Sequence, residues 1–491
     1  MFACVPLTLF AFILSYAPRF LNASLAETAT EHSAVTVPHG QHASVSSGDR
    51  SFFSRFLGSS DMSAAAAPKA WSSLDTTKEV KPFRIFVYDL PEKFNARILR
   101  ESWRCGHHMF AAEVAIHKYL LHSAARTKDP NEAALFYIPV YTTCKCTSFA
   151  GNGPDPWFGR NLMTEAVLHV STTYPYWNKN KGRDHVVAAT HDYGACFDYL
   201  RSNAHRVGIV NDIKNAIILS SLGDTKSPCY NTDQHITIPT FLPVQSVGGA
   251  RTRADWTKAV GLQLPLEVDD PISFDNARRD QMAFFWGALE WTDARGKRDD
   301  TYSHGVRQEL QKQYADDPWF TLRHVTRDGD GKLELSQYAQ HLKRSVFCLA
   351  PAGFAPWSAR IYEAVHYGCI PVLIADTIVL PFDDQLDWKA FSIKISEHDL
   401  KIPGRLKEIL QKLSPSEIRA KQAAMQIARN ALMYQFPAAK EPGTQTFARQ
   451  EKGGVAFDYV LRELEIKAGV RRVSRESAEI RRSARSAKGW W

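Results

Sequence analysis

The stretch "CLAPAGFAPWSARIYEAVHYGCIPVLIAD", Cys348–Asp376, opens and closes in apolar sequence, yet its middle carries Ser358, Arg360 and Glu363 within six residues. Short continuous apolar runs on either side of an amphipathic segment predict two buried parallel strands joined by a helix. A strand over Ser345–Leu349 leads through "APAGFAP" into a helix predicted to begin near Trp357. Pro356 suits the entry to a first turn, and Gly353 lets backbone come close to a ligand. The N-terminus of such a helix presents unpaired N–H groups and partial positive charge, which makes an anion site. Arg360 adds a full charge in a planar fork suited to phosphate. Glu363, one turn on, can accept hydrogen bonds from two hydroxyls, as a ribose diol would offer. The competing reading is an Arg360–Glu363 helical pair, worth roughly 0.2–0.5 kcal/mol.

The same rhythm runs outward from this stretch. "RIFVY" near Ile85, "ALFYIPVY" (Ala134–Tyr141) and "DHVVAAT" (Asp184–Thr190) read as buried strands. Amphipathic segments at Met109–Ala124 and Asn161–Val170 read as helices between them. After polar, Gly- and Arg-rich sequence at Val244–Asp255, "QMAFFWGAL" (Gln281–Leu289), a helix near Ser303–Tyr314 and "SVFCLAP" repeat the alternation. Strands of this kind between helices indicate parallel sheets covered on both faces. Two such halves, 81–245 and 246–450, would enclose a cleft at the carboxyl ends of their strands, where open α/β sheets bind ligands.

The chain has 491 residues, enough for two domains. The net charge is +8; residues 451–491, a basic extension, hold ten Lys or Arg against six Asp or Glu, and its last segment, "VRRVSRESAEIRRSARSAKGWW", reads as a solvated tail. The body is only mildly basic and has no nucleic-acid reading motif, so no nucleic-acid partner is expected. The run "MFACVPLTLFAFILSYA" (Met1–Ala17) has no charge and reads as a signal-anchor or signal peptide within residues 1–20. Residues 21–80, rich in Ser, Ala and Thr, read as a flexible stem. Either form of leader directs the rest into the secretory lumen. Outside the apolar run there are seven cysteines, an odd number, so at least one remains a thiol; Cys348 and Cys369, in apolar strands, are expected as buried thiols.

Other motifs carry less. His191 and Asp192 in "HDYGACF" follow a strand and so sit at its carboxyl end, where they can supply a general base. "RDGDGKLE" (Arg327–Glu334) has Thr326 and Gln337 where a calcium loop needs Asp and Glu, and reads as a polar turn. "CGHH" (Cys105–His108) and "CKC" (Cys144–Cys146) lack the ligand spacing of structural zinc, and no metal is expected.

Taken together, "FVYDLPEKFN", "CGHHMFAAE", "YIPVYTTC", "DHVVAATHDYGACF", "YSHGVR" and "VFCLAPAGFAPWSARIYEAVHYGCIPVLIADTIVLPF" resemble the exostosin-like glycosyltransferases of family 47, across roughly Lys81–Pro437. Within that family the likeness is greatest to plant xylan β-1,4-xylosyltransferases of the irregular-xylem type. The resemblance implies a GT-B fold of two Rossmann-like domains facing a cleft. It also implies inverting transfer from a UDP-sugar without a metal cofactor, a xylan acceptor, and type II topology in the Golgi membrane with a lumenal catalytic portion. It makes Ser358, Arg360, Glu363 and Gly353 donor contacts, and adds Arg307 of "YSHGVR" facing the diphosphate, with Asp192 or His191 as base. The aromatics Trp157, Tyr174 and Trp177 are candidates for stacking on acceptor sugars. Partnership with other polysaccharide synthase subunits, or as a homodimer, is a further expectation. Two alternatives stand beside xylose transfer: another donor (galactose, arabinose or glucuronic acid), or a non-catalytic subunit of a synthase complex. One departure is "FWG", Phe285–Gly287, where many xylan-type members have "FRG".

Overall fold

The computed structural model describes residues 82–101, 103–106, 109–147, 156–192, 194–197, 208–242, 279–291, 298–299, 301–324, 335–434 and 456–471. The apolar run, the stem, the Val244–Asp255 segment, the Arg327–Glu334 turn, His107 and His108, and the tail beyond Arg471 lie outside these residues. Among the described residues no helix is long and apolar enough to cross a membrane.

The first half is a six-stranded sheet of β1 (Ile85–Val87), β2 (Arg126–Thr127), β3 (Leu135–Tyr137), β4 (His185–Ala189), β5 (Ile217–Ser220) and β6 (His235–Thr237). Its spatial order is β2-β1-β3-β4-β5-β6, and every pairing is parallel. Alternation along each strand feeds two cores. Ile85, Val87, Leu135, Tyr137, Val186 and Ala188 face one cluster, and Phe136, Val187, Ala189 and Ile218 the other. Helix α1 (Ala112–His122) covers the first face through Ala112, Ala115, Ile116 and Leu120. Helix α3 (Pro156–Thr173) covers the second through Met163, Ala166 and Val170, with the short α2 (Thr142–Thr147) between them in sequence. Burial on both faces is why these strands read as unbroken apolar runs, each full-sized aliphatic side chain contributing ~1.5–3 kcal/mol.

The second half is a five-stranded parallel sheet: β7 (Gln281–Gly287), β8 (Phe320–His324), β9 (Ser345–Pro351), β10 (Ile370–Ile374) and β11 (Ile393–Lys394), in the order β11-β10-β9-β7-β8. Helices α4 (Val306–Tyr314), α5 (Leu335–Arg344) and α6 (Ala359–His366) supply the crossovers. Helix α7 (Pro415–Ala431) opens with a full capping box, in which Ser414 and Glu417 satisfy each other's backbone N–H groups. Helix α8 (Ala456–Lys467) then buries Phe457, Val460 and Leu464. The expected two-part α/β architecture of GT-B type is therefore present, and one apolar cluster includes residues of both sheets.

Three polar seams also join the halves. Thr225 N donates to Thr377 O at 2.9 Å, Val379 N to Gly223 O at 2.9 Å, and Tyr434 Oη to Pro239 O at 3.0 Å. A Cβ on Gly223 would stand 2.2 Å from Val379 O, so only glycine admits the Gly223–Val379 seam.

Two expectations need correction. Cys348 and Cys369 are not thiols: they form a disulfide, as do Cys105–Cys144 and Cys196–Cys229, leaving Cys146 as a buried cysteine outside the disulfides. Residue 348 lies in β9, beside Pro371 of β10 two residues beyond Cys369, so burial in one layer places the two sulfurs side by side. The helix after β9 begins at Ala359 rather than Trp357, because Ser358 is extended (φ −153°, ψ 143°) and caps it.

The Cys348–Cys369 bond closes a 21-residue span containing Gly353, Ser358, Arg360 and Glu363. Replacing both cysteines with alanine is expected to lower unfolding free energy by about 3 kcal/mol, measured by denaturant titration.

Candidate active site

In the second sheet the chain order reverses between β7 and β9, the position where open α/β sheets leave a crevice at their carboxyl ends. Arg307, at the second position of α4, fills that fork. Its Nε donates to Ala352 O at 2.9 Å, Nη1 to Ala288 O at 2.8 Å and to Tyr302 Oη at 2.5 Å, and Nη2 to Pro351 O at 3.3 Å. The side chain is buried, and burial pushes its guanidinium down to about 10. The turn that delivers it is strained: Ser303 (φ 59°) and His304 (φ 51°) both adopt left-handed backbone ahead of Gly305 (φ 78°). Ser303 Oγ holds the turn by donating to Ala352 O at 2.6 Å and accepting from Arg307 N at 3.3 Å.

Arg360 reaches the same place from α6. Its Nε and Nη2 donate to Trp286 O at 3.0 and 2.9 Å, and its Nη1 to Ser358 Oγ at 3.2 Å. Both guanidinium groups lie over the Phe285 ring, 5.4 Å (Arg307) and 5.2 Å (Arg360) from its centroid. Neither forms an ion pair with a described residue. Two cations held close together beside a helix N-terminus, with no ion pair to a described residue, are an arrangement that can accept a polyanion.

The glycines serve these arginines. A Cβ at 353 would meet Arg307 Nη2 at 2.9 Å, and one at 287 would meet Arg360 Nη2 at 2.2 Å. Gly353 therefore makes room for an arginine. Ser358 caps α6 and orients Arg360, accepting from Arg360 N at 3.3 Å. The Arg360–Glu363 helical pair does not form. Glu363 is instead bound by Tyr338, whose hydroxyl donates to Glu363 Oε2 at 2.6 Å. Trp286 points its indole away from the arginines, edge-on to Tyr338 at 6.3 Å, and reaches the site only through its carbonyl. At the rim Phe354, 40% exposed, stands edge-on to Trp291 and Tyr302, with centroids 4.7 and 4.9 Å away.

From the first half, His191 and Asp192 follow the carboxyl end of β4. The His191 ring lies 4.4 Å from Phe110, and Phe110 lies 6.1 Å from Trp357, the residue before the α6 cap. One phenyl ring thus stands between the strand end of one half and the anion site of the other. Asp192 is half-buried, and burial alone pushes its carboxyl up to about 7. The local frame depends on Glu113 of α1, which caps α2 by accepting from Cys144 N at 2.7 Å and Thr143 N at 3.1 Å. Thr143 Oγ1 in turn accepts from Thr190 N at 3.3 Å, next to His191. Desolvation raises the Glu113 carboxyl to about 8 against the pull of those donors.

Two aromatics read as sugar platforms are elsewhere. Tyr174 packs 5.0 Å from Tyr88, and Trp177 packs 4.7 Å from His185, the first residue of β4 and the end remote from His191. Among the described residues no cluster of three or more His, Cys, Asp or Glu gathers that could hold a metal ion.

Two parallel α/β sheets of this kind are consistent with a glycosyltransferase of GT-B type. The family model of the exostosin GT47 domain matches residues 79–413, and the chain belongs to that family. It is 37% identical to "Probable glucuronoxylan glucuronosyltransferase" of Arabidopsis thaliana, over 72% of this chain and 69% of the relative. It is 34% identical to "Probable glucuronosyltransferase" of Oryza sativa subsp. japonica, over 78% and 80% respectively. It is 33% identical to "Probable beta-1,4-xylosyltransferase" of Arabidopsis thaliana, over 73% and 78%.

Gly287→Ala forces Arg360 off its carbonyl anchor while leaving the buried strand intact. Pyrophosphate affinity measured by calorimetry is expected to fall roughly tenfold, the loss of about one charge-assisted hydrogen bond, with the melting temperature little changed.

Proposed function

We propose that this chain is an inverting glycosyltransferase that moves a sugar from a UDP-sugar to a xylan-type polysaccharide, with UDP-xylose as donor. The observation that carries the reading is the pair Arg307 and Arg360, two uncompensated guanidinium groups on the Phe285 ring at the N-terminus of α6. A departing diphosphate would develop its charge there, where fixed donors stabilise it most. Glu363 would accept from the ribose hydroxyls. Asp192 would remove the proton of an acceptor hydroxyl. The oxygen would then form its bond to the anomeric carbon as the bond from that carbon to the diphosphate breaks on the opposite face. A carboxyl held at about 7 is matched to that work near neutral pH. The xylan acceptor is supported by the names of the relatives.

Those names also favour a second donor, UDP-glucuronic acid, since two of the three relatives described are called glucuronosyltransferases. Both donors share the UDP moiety, so Arg307, Arg360 and Glu363 serve either. Discrimination between them rests on the sugar pocket, where one substituent is worth ~1–3 kcal/mol. We also place the protein in the Golgi lumen, anchored through residues 1–20. Three disulfides suit that oxidising compartment, and protease protection of a tagged chain in sealed microsomes tests the topology.

The full chain incubated with xylo-oligosaccharide and single UDP-sugars in EDTA should give products heavier by one pentose from UDP-xylose, read by mass spectrometry. Products carrying a hexuronate would move the assignment to the second donor. No product from any UDP-sugar, with the protein folded, would sink transferase activity altogether.

Asp192→Asn should cost ~10²–10⁴ in kcat, and the wild-type kcat/KM should fall below pH about 7 as the carboxyl protonates. The sign for stability is opposite. The folded carboxyl is raised above its ordinary value, so its ionisation opposes folding as pH rises toward 7 and beyond. Asp192→Asn should therefore melt no lower than wild type at pH 8.

A further inference from the structure

Glu363 is a short-range acceptor whose direction must be set by something other than its helical neighbour. Arg360, three residues before it, is committed to Trp286 O and Ser358 Oγ. Tyr338 enters from α5, a polar helix that packs in one cluster with Phe284 and Trp286 of β7 and Ala364 of α6, and its hydroxyl donates to Glu363 Oε2 at 2.6 Å. The Tyr338 ring is itself immobilised: it is 4% exposed, lies 5.8 Å from Phe284, and meets the Trp286 indole edge-on at 6.3 Å. A carboxylate tied through one oxygen to a buried, ring-locked donor has a defined orientation. Its other oxygen, Oε1, receives no hydrogen bond from a described residue, and Glu363 follows Arg360 by about one helical turn.

We propose that Tyr338 is a positioning residue that fixes the Glu363 carboxylate so that Oε1 accepts from the ribose 2′-hydroxyl of the nucleotide. It thereby makes the site selective for ribonucleotides over 2′-deoxyribonucleotides. This deepens the proposed function and rests on its reading of the site as a UDP-sugar site. Tyr338 acts through Glu363 and touches no reacting atom, so its removal changes nucleotide selection rather than the chemical step.

The experiment is calorimetric binding of UDP and of 2′-deoxy-UDP to the full chain. Wild type should prefer UDP by about tenfold or more, the worth of one hydrogen bond to a charged acceptor. Tyr338→Phe keeps the ring and removes the hydroxyl. It should weaken UDP roughly tenfold, leave 2′-deoxy-UDP unchanged, and raise the KM for UDP-sugar with kcat within about twofold. Glu363→Gln should abolish the same preference, and the double variant should be no worse than Glu363→Gln alone, because the two act as one unit. Equal weakening of both nucleotides by Tyr338→Phe, or no change in either, overturns the proposal and leaves the UDP site standing. A wild type that prefers UDP through Glu363 but ignores Tyr338 does the same. Failure of wild type to bind either nucleotide overturns both this inference and the function it rests on.

Discussion

Among the described residues Arg307 is a buried cation with no carboxylate in an ion pair to meet it, and the second half of the molecule is arranged around that condition. An isolated charge taken out of water is costly unless its donors are satisfied. Here three backbone carbonyls and one phenol meet them, and the carbonyls are those freed where β7 and β9 part. A contrasting residue clarifies what is special. Arg279, also buried, donates to Leu342 O, Ser345 O and Tyr367 O before the first residues of β7. It stands alone there. Arg307 instead shares an aromatic face with Arg360, and after burial the neighbouring Arg360 charge is a further cause that lowers the Arg307 guanidinium. The strained turn at Ser303–His304 is tolerated because the Ser303 hydroxyl and the Arg307 fork over-determine it.

The two halves are coupled through small, directional contacts more than through a broad polar interface. The 223–225 segment meets 377–379, Tyr434 reaches Pro239, and the Tyr119 ring of α1 packs tilted against Phe457 of α8. Phe110 completes the set by standing between His191 and Trp357. His191 and Trp357 follow strands that begin 160 positions apart, at His185 and Ser345, yet one ring, that of Phe110, touches both. Desolvation then raises Asp192 and Glu113 and lowers Arg307, a common consequence of a site kept dry by both halves.

Much of the fold was legible in the chain because its signal is local. Continuous apolar runs such as "DHVVAAT" and "SVFCLAP" can be buried on both faces only in a parallel sheet, and the helices between them follow from spacing. The placement of Ser358, Arg360 and Glu363 at the start of a helix after a buried strand was legible for the same reason.

What the residue order alone determined was therefore the elements and the chemistry they carry: parallel strands, a helix start with cationic and carboxylate groups, and a His–Asp pair at a strand end. Which atoms satisfy which was decided only by tertiary structure. Arg360 chose Trp286 O over Glu363, Glu363 took Tyr338 from another helix, and Gly287 and Gly353 became clearances for arginines. Cys348 and Cys369 became a bond because β9 and β10 lie side by side. Tyr338, in the polar stretch "LSQYAQHLKR", carries no mark in the sequence. Hydrogen bonds and disulfides are set by distance in space, and distance between residues far apart in sequence exists only once the sheets have assembled.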